Sequence, residues 1–207
     1  MIAVKVKICG ITNLEDALAA IDMGADLLGF NFYPESKRFI PVEKALDIIN
    51  KMPTFVDTVG VFVNAEVDHI RNVARQGLLN WIQLHGDETP QFCDSFRWSN
   101  ARVIKAIRVK SPLDIKTAND FYTDAILFDT YSPYEYGGTG ETFDWSLIRN
   151  LQKRVFLAGG ITPENAVDAV EVGVYGIDIC SGIESYPGKK DHEKMKRLFD
   201  NIKHVRI

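Results

Sequence analysis

Short apolar runs alternate along the chain with segments in which apolar residues recur at helical spacing. Eight of the short runs have the length and composition of β-strands. They cover residues 4–10, 25–32, 58–63, 81–85, 102–107, 124–129, 155–158 and 176–180. A regular alternation of strands and helices is typical of parallel α/β folds, in which each helix connects two strands of one sheet.

The segments between the runs carry helix start and stop signals. Thr12-Asn13-Leu14-Glu15 has the form of a capping box, and Gly24 is placed to end the helix that follows. Thr162-Pro163 puts proline at a first helical position, as do the similar starts at residues 89–90 and 111–112. Residues 114–121 are short and polar, so we expect that helix to be abbreviated or replaced by a loop.

Eight strand and helix units of roughly 25 residues each predict a compact α/β fold, the (β/α)8 TIM barrel. We expect residues 1–207 to form one such domain. The rival is a doubly wound open sheet. That fold is disfavoured because no Gly-x-Gly-x-x-Gly turn follows the first strand and no linker separates two halves of the chain.

The composition of the chain disfavours several classes of function. The chain is 46% hydrophobic and 25% charged, with a net charge of −4, which disfavours a nucleic-acid or anionic membrane surface. Three widely spaced cysteines without a Cys-x-x-Cys pair disfavour a disulfide frame or a zinc site. No export signal or membrane span is visible, so we expect a cytoplasmic protein that binds neither membranes nor nucleic acid.

Alternation along the strands separates structural from chemical positions. If Val6 and Ile8 pack outward on helices, Lys7 and Cys9 point into the barrel. The same reasoning places five further polar residues inside: Gln83, His85, Lys105, Asp129 and Asp178. Because the first and last strands of a closed barrel are neighbours, we expect Lys7 to pair with Asp178.

Four loops at the carboxyl ends of strands are candidates for binding. Gly159-Gly160 and Ser181-Gly182 follow the last two strands, where this fold commonly holds a phosphate. Residues 130–140 form a glycine-rich insertion that suits a mobile lid. Arg38 lies in a basic loop and suits a carboxylate. Taken singly, each feature also has an ordinary explanation: a tight turn, a surface arginine, a helix-capping Asp129 or a small core Cys9.

Together, the motifs resemble the phosphoribosylanthranilate isomerase family. They are Val6-Lys7-Ile8-Cys9-Gly10-Ile11-Thr12, Phe32-Tyr33-Pro34 to Ser36-Lys37-Arg38, Gly60-Val61-Phe62-Val63-Asn64, Gln83-Leu84-His85-Gly86, Asp129 to Gly137-Gly138-Thr139-Gly140, Phe143-Asp144-Trp145, Ala158-Gly159-Gly160, and Ser181-Gly182 to Pro187-Gly188-Lys189-Lys190-Asp191. The resemblance covers almost the whole chain. It implies a (β/α)8 barrel of tryptophan biosynthesis that isomerises N-(5-phosphoribosyl)anthranilate.

The resemblance also implies roles for individual residues. Cys9 would be the general base and Asp129 the general acid of an Amadori rearrangement that needs no metal or other cofactor, and Arg38 would hold the anthranilate carboxylate. The phosphate end of the sugar-phosphate substrate would be bound by Gly159, Gly160, Asp178, Ser181 and Gly182. Lys7, Gln83 and His85 are further candidates for the pocket. Lys7 is a candidate for helping Cys9 to ionise.

One departure from the family pattern is Cys180, which stands where the first of two consecutive serines is expected. Alternation points it inward, and we expect a packing role. Three alternatives stay open. The first is the histidine-pathway aldose–ketose isomerase, which would use two aspartates. The second is an indole-forming lyase, which would want a glutamate and an inward lysine such as Lys7 or Lys105, and the third is a non-catalytic barrel that binds a sugar phosphate.

Overall fold

Eight parallel strands close into a barrel in which each strand pairs with the next and the eighth pairs with the first. The computed structural model describes residues 3–76, 79–97, 99–132, 137, 142–148 and 153–206. The strands are β1 (Lys5–Cys9), β2 (Leu27–Asn31), β3 (Asp57–Phe62), β4 (Trp81–Leu84), β5 (Arg102–Val109), β6 (Ala125–Thr130), β7 (Val155–Leu157) and β8 (Gly176–Ile179). The predicted fold class is confirmed.

Helices surround the barrel. They are α1 (Leu14–Met23), α2 (Val42–Ile49), α3 (Val67–Ala74), α4 (Pro90–Asp94), α5 (Pro112–Thr117), α6 (Ala166–Glu171) and α7 (His192–Ile202). Three 3-10 turns lie at Ala118–Asp120, Trp145–Ile148 and Ser181–Ile183. The abbreviated helix expected at residues 114–121 is confirmed by the six residues of α5 and the short turn after it.

Two separate hydrophobic cores account for the alternation along the strands. Val6 and Ile8 belong to the outer core, between the strands and the helices. Cys9 belongs to the inner core that fills the barrel, together with large side chains such as Trp81 and Phe156. Successive strand residues face opposite sides, so each strand contributes to both cores in turn.

The predicted inward position of Lys105 is wrong. Its neighbours Ile104 and Ala106 belong to the inner core, whereas Val103 and Ile107 belong to the outer one. Lys105 therefore lies on the outer face of β5. The physical reason is that β5 is apolar on both faces, so alternation alone did not fix its orientation. An indole-forming lyase consequently loses one of its two candidate lysines.

Two predicted helix starts also differ in the structure. Asn13, and not Thr12, caps α1, because its Oδ1 accepts a hydrogen bond from the Asp16 backbone N–H at 2.9 Å. The Thr12 hydroxyl instead donates to the Gly188 carbonyl at 2.5 Å. Helix α6 begins at Ala166 rather than beside Thr162-Pro163, since the Asn165 side chain accepts from the Thr162 N–H at 2.8 Å and closes a turn there.

A small hairpin follows β8 and was not predicted. Its antiparallel strands are β9 (Glu184–Tyr186) and β10 (Lys189–Lys190). Glu184 and Lys190 are both buried, although they are charged. The hairpin therefore brings two charged side chains to the carboxyl end of the barrel. Among the helices of the described residues, none has the length and apolar character needed to cross a membrane.

Candidate functional site

A cavity opens at the carboxyl ends of the barrel strands. Eight of the residues selected from the sequence line it: Cys9, Arg38, His85, Asp129, Gly159, Gly160, Asp178 and Ser181. Lys7 and Gln83 have no exposed surface and lie within the barrel, in contact with residues that do line the cavity. The fold thus gathers side chains from distant parts of the sequence around one space.

On one side of the cavity, a buried ion pair lies beside the Cys9 thiol. The Lys7 Nζ donates to both carboxylate oxygens of Asp178 at 2.9 Å, which confirms the predicted pair. A Cβ atom added at Gly29 would lie 2.8 Å from the Cys9 Sγ and 3.2 Å from the Lys7 Nζ. The thiol and the ammonium group are therefore neighbours, and glycine at position 29 leaves room for both.

The electrostatics of this side favour a thiolate at Cys9. A hydrogen bond with Cys180 lowers the pKa of Cys9 well below its usual value; burial opposes this, and the Lys7 ammonium adds to it. Burial lowers the pKa of Lys7, but Asp178 and Cys9 raise it above its usual value. Burial raises the pKa of Asp178 to about 7, against the opposing effect of Lys7. The negative charge beside Lys7 is thus shared between Cys9 and Asp178.

The other side of the cavity carries Asp129 and His85. Asp129 lies at the end of β6, and its Oδ1 accepts from the Thr130 N–H at 2.8 Å. Its Oδ2 lies 3.2 Å from the His85 Nε2, although this contact is not aligned as a hydrogen bond. The Gln83 Nε2 lies 2.8 Å from the His85 Nδ1 and orients the ring. If the amide donates, the ring proton is on Nε2 and faces Asp129.

Arg38 is held by a carboxylate that sequence reasoning missed. Its Nε and Nη2 donate to the two oxygens of Glu184 at 3.0 and 2.8 Å. The Lys190 Nζ donates to the same carboxylate at 3.0 Å. Burial raises the pKa of Glu184, but Arg38 and Lys190 bring it below its usual value. A basic loop residue that becomes buried needs such a partner, and that requirement was the available signal.

The loops after β7 and β8 meet at the cavity wall. Gly159 and Gly160 have φ values of +87° and +64°, which only glycine adopts readily. Gly160 is fixed in place because its carbonyl accepts from the Asn165 Nδ2 at 2.9 Å. Ser181 lines the cavity. A Cβ at Gly182 would collide with the Ile161 carbonyl, so Gly182 lets the two loops pack together.

Two further polar residues in the cavity wall were not selected from the sequence. Asn31 and Ser36 line the cavity, and the Asn31 Nδ2 donates to the Ser36 Oγ at 3.0 Å. The Ser36 Oγ also accepts from the Arg38 backbone N–H at 3.1 Å. These contacts fix the Arg38 loop against β2. Ser36 lies in a loop without periodicity, so no pattern in the sequence indicated it. Asn31 ends β2 on the face opposite Leu28 and Phe30, so alternation along that strand was the available signal.

The predicted lid falls largely outside the described residues, which omit positions 133–136 and 138–141. Gly137 is described, and a Cβ there would lie 2.8 Å from the Asp129 Oδ2. In the described part of the chain, no group of three or more His, Cys, Asp or Glu side chains is arranged to hold a metal ion.

Comparisons with known proteins agree on one family. The family model described as N-(5'-phosphoribosyl)anthranilate isomerase matches residues 6–201. The curated N-(5'-phosphoribosyl)anthranilate isomerase of Citrifermentans bemidjiense is 46% identical over 206 residues, covering 98% of both chains. The protein of the same name from Thermotoga maritima is 47% identical over 204 residues, which cover 97% of this chain and 98% of that protein.

Solved structures agree as well. The phosphoribosyl anthranilate isomerase of Thermus thermophilus superposes with a TM-score of 0.90 at 36% identity, covering 97% of this chain and 99% of that one. A phosphoribosyl anthranilate isomerase in complex with reduced 1-(o-carboxyphenylamino)-1-deoxyribulose 5-phosphate superposes with a TM-score of 0.86 at 43% identity, with the same coverage. The chain therefore belongs to the N-(5'-phosphoribosyl)anthranilate isomerase family.

Proposed function

We propose that this protein converts N-(5-phosphoribosyl)anthranilate to 1-(2-carboxyphenylamino)-1-deoxyribulose 5-phosphate in tryptophan biosynthesis, with Cys9 as general base and Asp129 as general acid. The observation that carries these assignments is the position of the two groups in one cavity. Cys9 ends β1 and Asp129 lies near the end of β6, and both side chains line the same space. A substrate bound between them meets a base on one side and a carboxyl group on the other.

The reaction begins with a proton transfer from Asp129. A protonated carboxyl group at this position gives its proton to the ring oxygen of the ribose. The bond between that oxygen and C1 breaks, while the lone pair of the anthranilate nitrogen forms a C=N bond. The product of this step is an open-chain protonated Schiff base, whose positive charge balances the negative charge of the Asp129 carboxylate that remains.

Cys9 then acts on the neighbouring sugar carbon. Its thiolate removes the proton from C2, and the electrons of that C–H bond move to form an enolamine. Tautomerisation of the enolamine gives the ketone at C2 and returns a proton to C1. The hydrogens are redistributed within one molecule, so the balance requires no external oxidant or reductant. The lowered pKa of Cys9 supports the thiolate that this step needs.

Candidate binding groups lie in the loops that line the cavity. Arg38 uses Nε and Nη2 for Glu184, which leaves the Nη1 edge of the guanidinium to meet the anthranilate carboxylate. The backbone of Gly159 and Gly160, with Ser181, forms the phosphate end. Asp178 also lines the cavity, and its contribution is to hold Lys7 beside Cys9. These contacts orient the sugar between the acid and the base.

The test is a turnover assay with freshly generated phosphoribosylanthranilate, followed by the loss of fluorescence of its anthranilate group. We expect the wild type to turn over and Cys9→Ser and Asp129→Asn each to reduce kcat by at least about 10²-fold. Circular dichroism checks that each variant is folded.

Cys93→Ser is the matched control, because Cys93 is also buried but lies in α4, away from the cavity, where burial raises its pKa to about 12. Absence of turnover by folded wild type would refute the proposed activity. Turnover that survives both substitutions would instead refute the assignment of Cys9 and Asp129.

A further inference from the structure

Strands β1 and β8 lie side by side with Lys7 opposite Asp178 and Ile8 opposite Ile179. The residues that follow Ile8 and Ile179 are Cys9 and Cys180. These cysteines therefore face each other across the seam of the barrel, where β1 meets β8. Alternation puts both on the inner face with the Lys7–Asp178 pair. Both cysteines line the cavity. Neighbouring strands are about 4.8 Å apart, which brings the two thiols within reach of one another.

The surroundings of Cys180 differ from those of a core cysteine. Its Sγ lies 4.0 Å from the Glu184 Oε1, and its backbone carbonyl accepts from the Lys190 Nζ at 3.2 Å. A Cβ at Gly10 would lie 3.2 Å from the Cys180 Sγ and 2.9 Å from the Arg38 Cδ. The Cys180 residue therefore lies beside a charged cluster of Arg38, Glu184 and Lys190 at the cavity wall, and the Glu184 carboxylate is one acceptor within reach of its thiol.

Lys7 alone gives the Cys9 thiolate only weak electrostatic stabilisation. Its ammonium group already donates to both oxygens of Asp178 at 2.9 Å, and that carboxylate offsets much of its field. A second, neutral donor that approaches from β8 would stabilise negative charge on the Cys9 sulfur without bringing another carboxylate with it. Cys180 occupies that position.

We propose that Cys180 is a positioning residue for the reaction: its S–H group donates a hydrogen bond to the Cys9 sulfur and holds that sulfur as a thiolate directed into the cavity. The proposal rests on the proposed role of Cys9 as base. It replaces the packing role expected from the sequence. The contact between the two thiols lowers the pKa of Cys9 and raises that of Cys180, the directions expected when Cys180 is the donor.

The experiment compares Cys180→Val, which fills the position with an apolar side chain and removes the donor, with Cys180→Ser, which keeps a donor. The pH dependence of Cys9 alkylation by iodoacetamide is followed by peptide mass spectrometry, so that Cys9 is read separately from Cys93. We expect the Cys180→Val midpoint to move up by about one pH unit, the effect of losing one hydrogen bond to a charged group, and Cys180→Ser to restore most of that change.

Turnover adds a second readout. We expect the acidic limb of kcat/KM to move up with the alkylation midpoint in Cys180→Val, while KM above that limb stays near the wild-type value. Midpoints identical in all three proteins would overturn the proposal. If Cys180→Val does not fold, Cys180→Ala takes its place with the same criterion. A shifted alkylation midpoint in a protein without turnover would support the contact and refute the proposed function separately.

Discussion

Two buried lysine–carboxylate pairs lie on opposite faces of the barrel wall. Lys7 pairs with Asp178 at 2.9 Å inside the barrel, and Lys105 pairs with Glu88 at 2.7 Å outside it. All four side chains are less than 10% exposed. The chemistry of the two pairs is the same. Their neighbours differ, and the neighbours decide what each pair does.

The outer pair fastens a loop. Besides Glu88, the Lys105 Nζ donates to the Gly86 carbonyl at 2.7 Å. Glu88 in turn accepts from the backbone N–H groups of Asn64 and Gly86 at 2.9 Å. This network fixes the loop that begins at His85, directly after β4. The inner pair has a reactive thiol beside it, so its charges act on Cys9. The comparison shows that the function of a buried ion pair depends on whether it lies inside or outside the barrel.

The largest effect is expected when the inner pair is broken. Lys7→Met leaves Asp178 buried without its partner, and we expect the free energy of unfolding to fall by about 3–5 kcal/mol. Burial raises the pKa of Asp178, and an unpaired carboxyl group destabilises only when it is ionised. The deficit should therefore grow as the pH rises through neutrality.

Urea unfolding at several pH values measures that deficit. The acidic limb of kcat/KM should also move to higher pH, because the ammonium group that lowers the pKa of Cys9 is gone. If the acidic limb of kcat/KM in the folded variant stayed at the wild-type pH, Lys7 would have no influence on Cys9. The contrast between the two pairs would then be lost.

Breaking the outer pair sharpens the comparison. Lys105→Met should reduce the free energy of unfolding by about 3 kcal/mol, because Glu88 then lacks its counter-charge. Lys105 faces away from Cys9, so we expect the acidic limb of the pH profile to stay in place. Measurements of urea unfolding and kcat/KM on the same preparations separate the two effects. A shift of that limb as large as in Lys7→Met would contradict the division into inner and outer pairs.

A smaller effect is expected at Glu184, whose buried carboxylate accepts hydrogen bonds from two cations, Arg38 and Lys190. Glu184→Gln should cost about 2 kcal/mol at neutral pH and raise KM, because Arg38 is no longer held by a charged partner. The pKa of Glu184 is lowered in the folded protein. Its stabilising contribution is therefore present above about pH 4.3, the unfolded value, and is lost as the pH falls through the lower folded value.

Acid unfolding of the wild type and Glu184→Gln measures this dependence. The difference in stability between them should shrink below pH 4. A difference that stayed constant into acid would show that Glu184 acts through packing rather than through its charge.

The sequence predicted the inner pair and misplaced the outer lysine for one physical reason. Lys7 interrupts an apolar strand in which Val6 and Ile8 define the outward face, so its inward position follows from alternation. Lys105 lies among residues that are apolar on both faces of β5, and only the tertiary register distinguishes those faces. The pattern along a strand therefore predicts which side chains point inward where one face is polar. It does not predict this where both faces are apolar and buried.

Glu184 and Lys190 show a different limit. They lie in a short hairpin beyond the last strand, where two and three residues per strand carry no periodicity. Their importance comes from a contact with Arg38 across 146 residues of sequence. The resemblance to a known family indicated Cys9, Asp129 and Arg38 as site residues. The local sequence pattern did not indicate which carboxylate binds Arg38.

The seam between β1 and β8 has a consequence for the time course of synthesis. Asp178 follows its partner Lys7 at a distance of 171 positions along the sequence. At about 5–20 residues per second, the ribosome needs roughly 10 to 30 seconds to supply it. During that interval Lys7 lacks the carboxylate that compensates its burial in the finished barrel. Closure of the ring between β1 and β8 therefore has to wait until β8 has been synthesised.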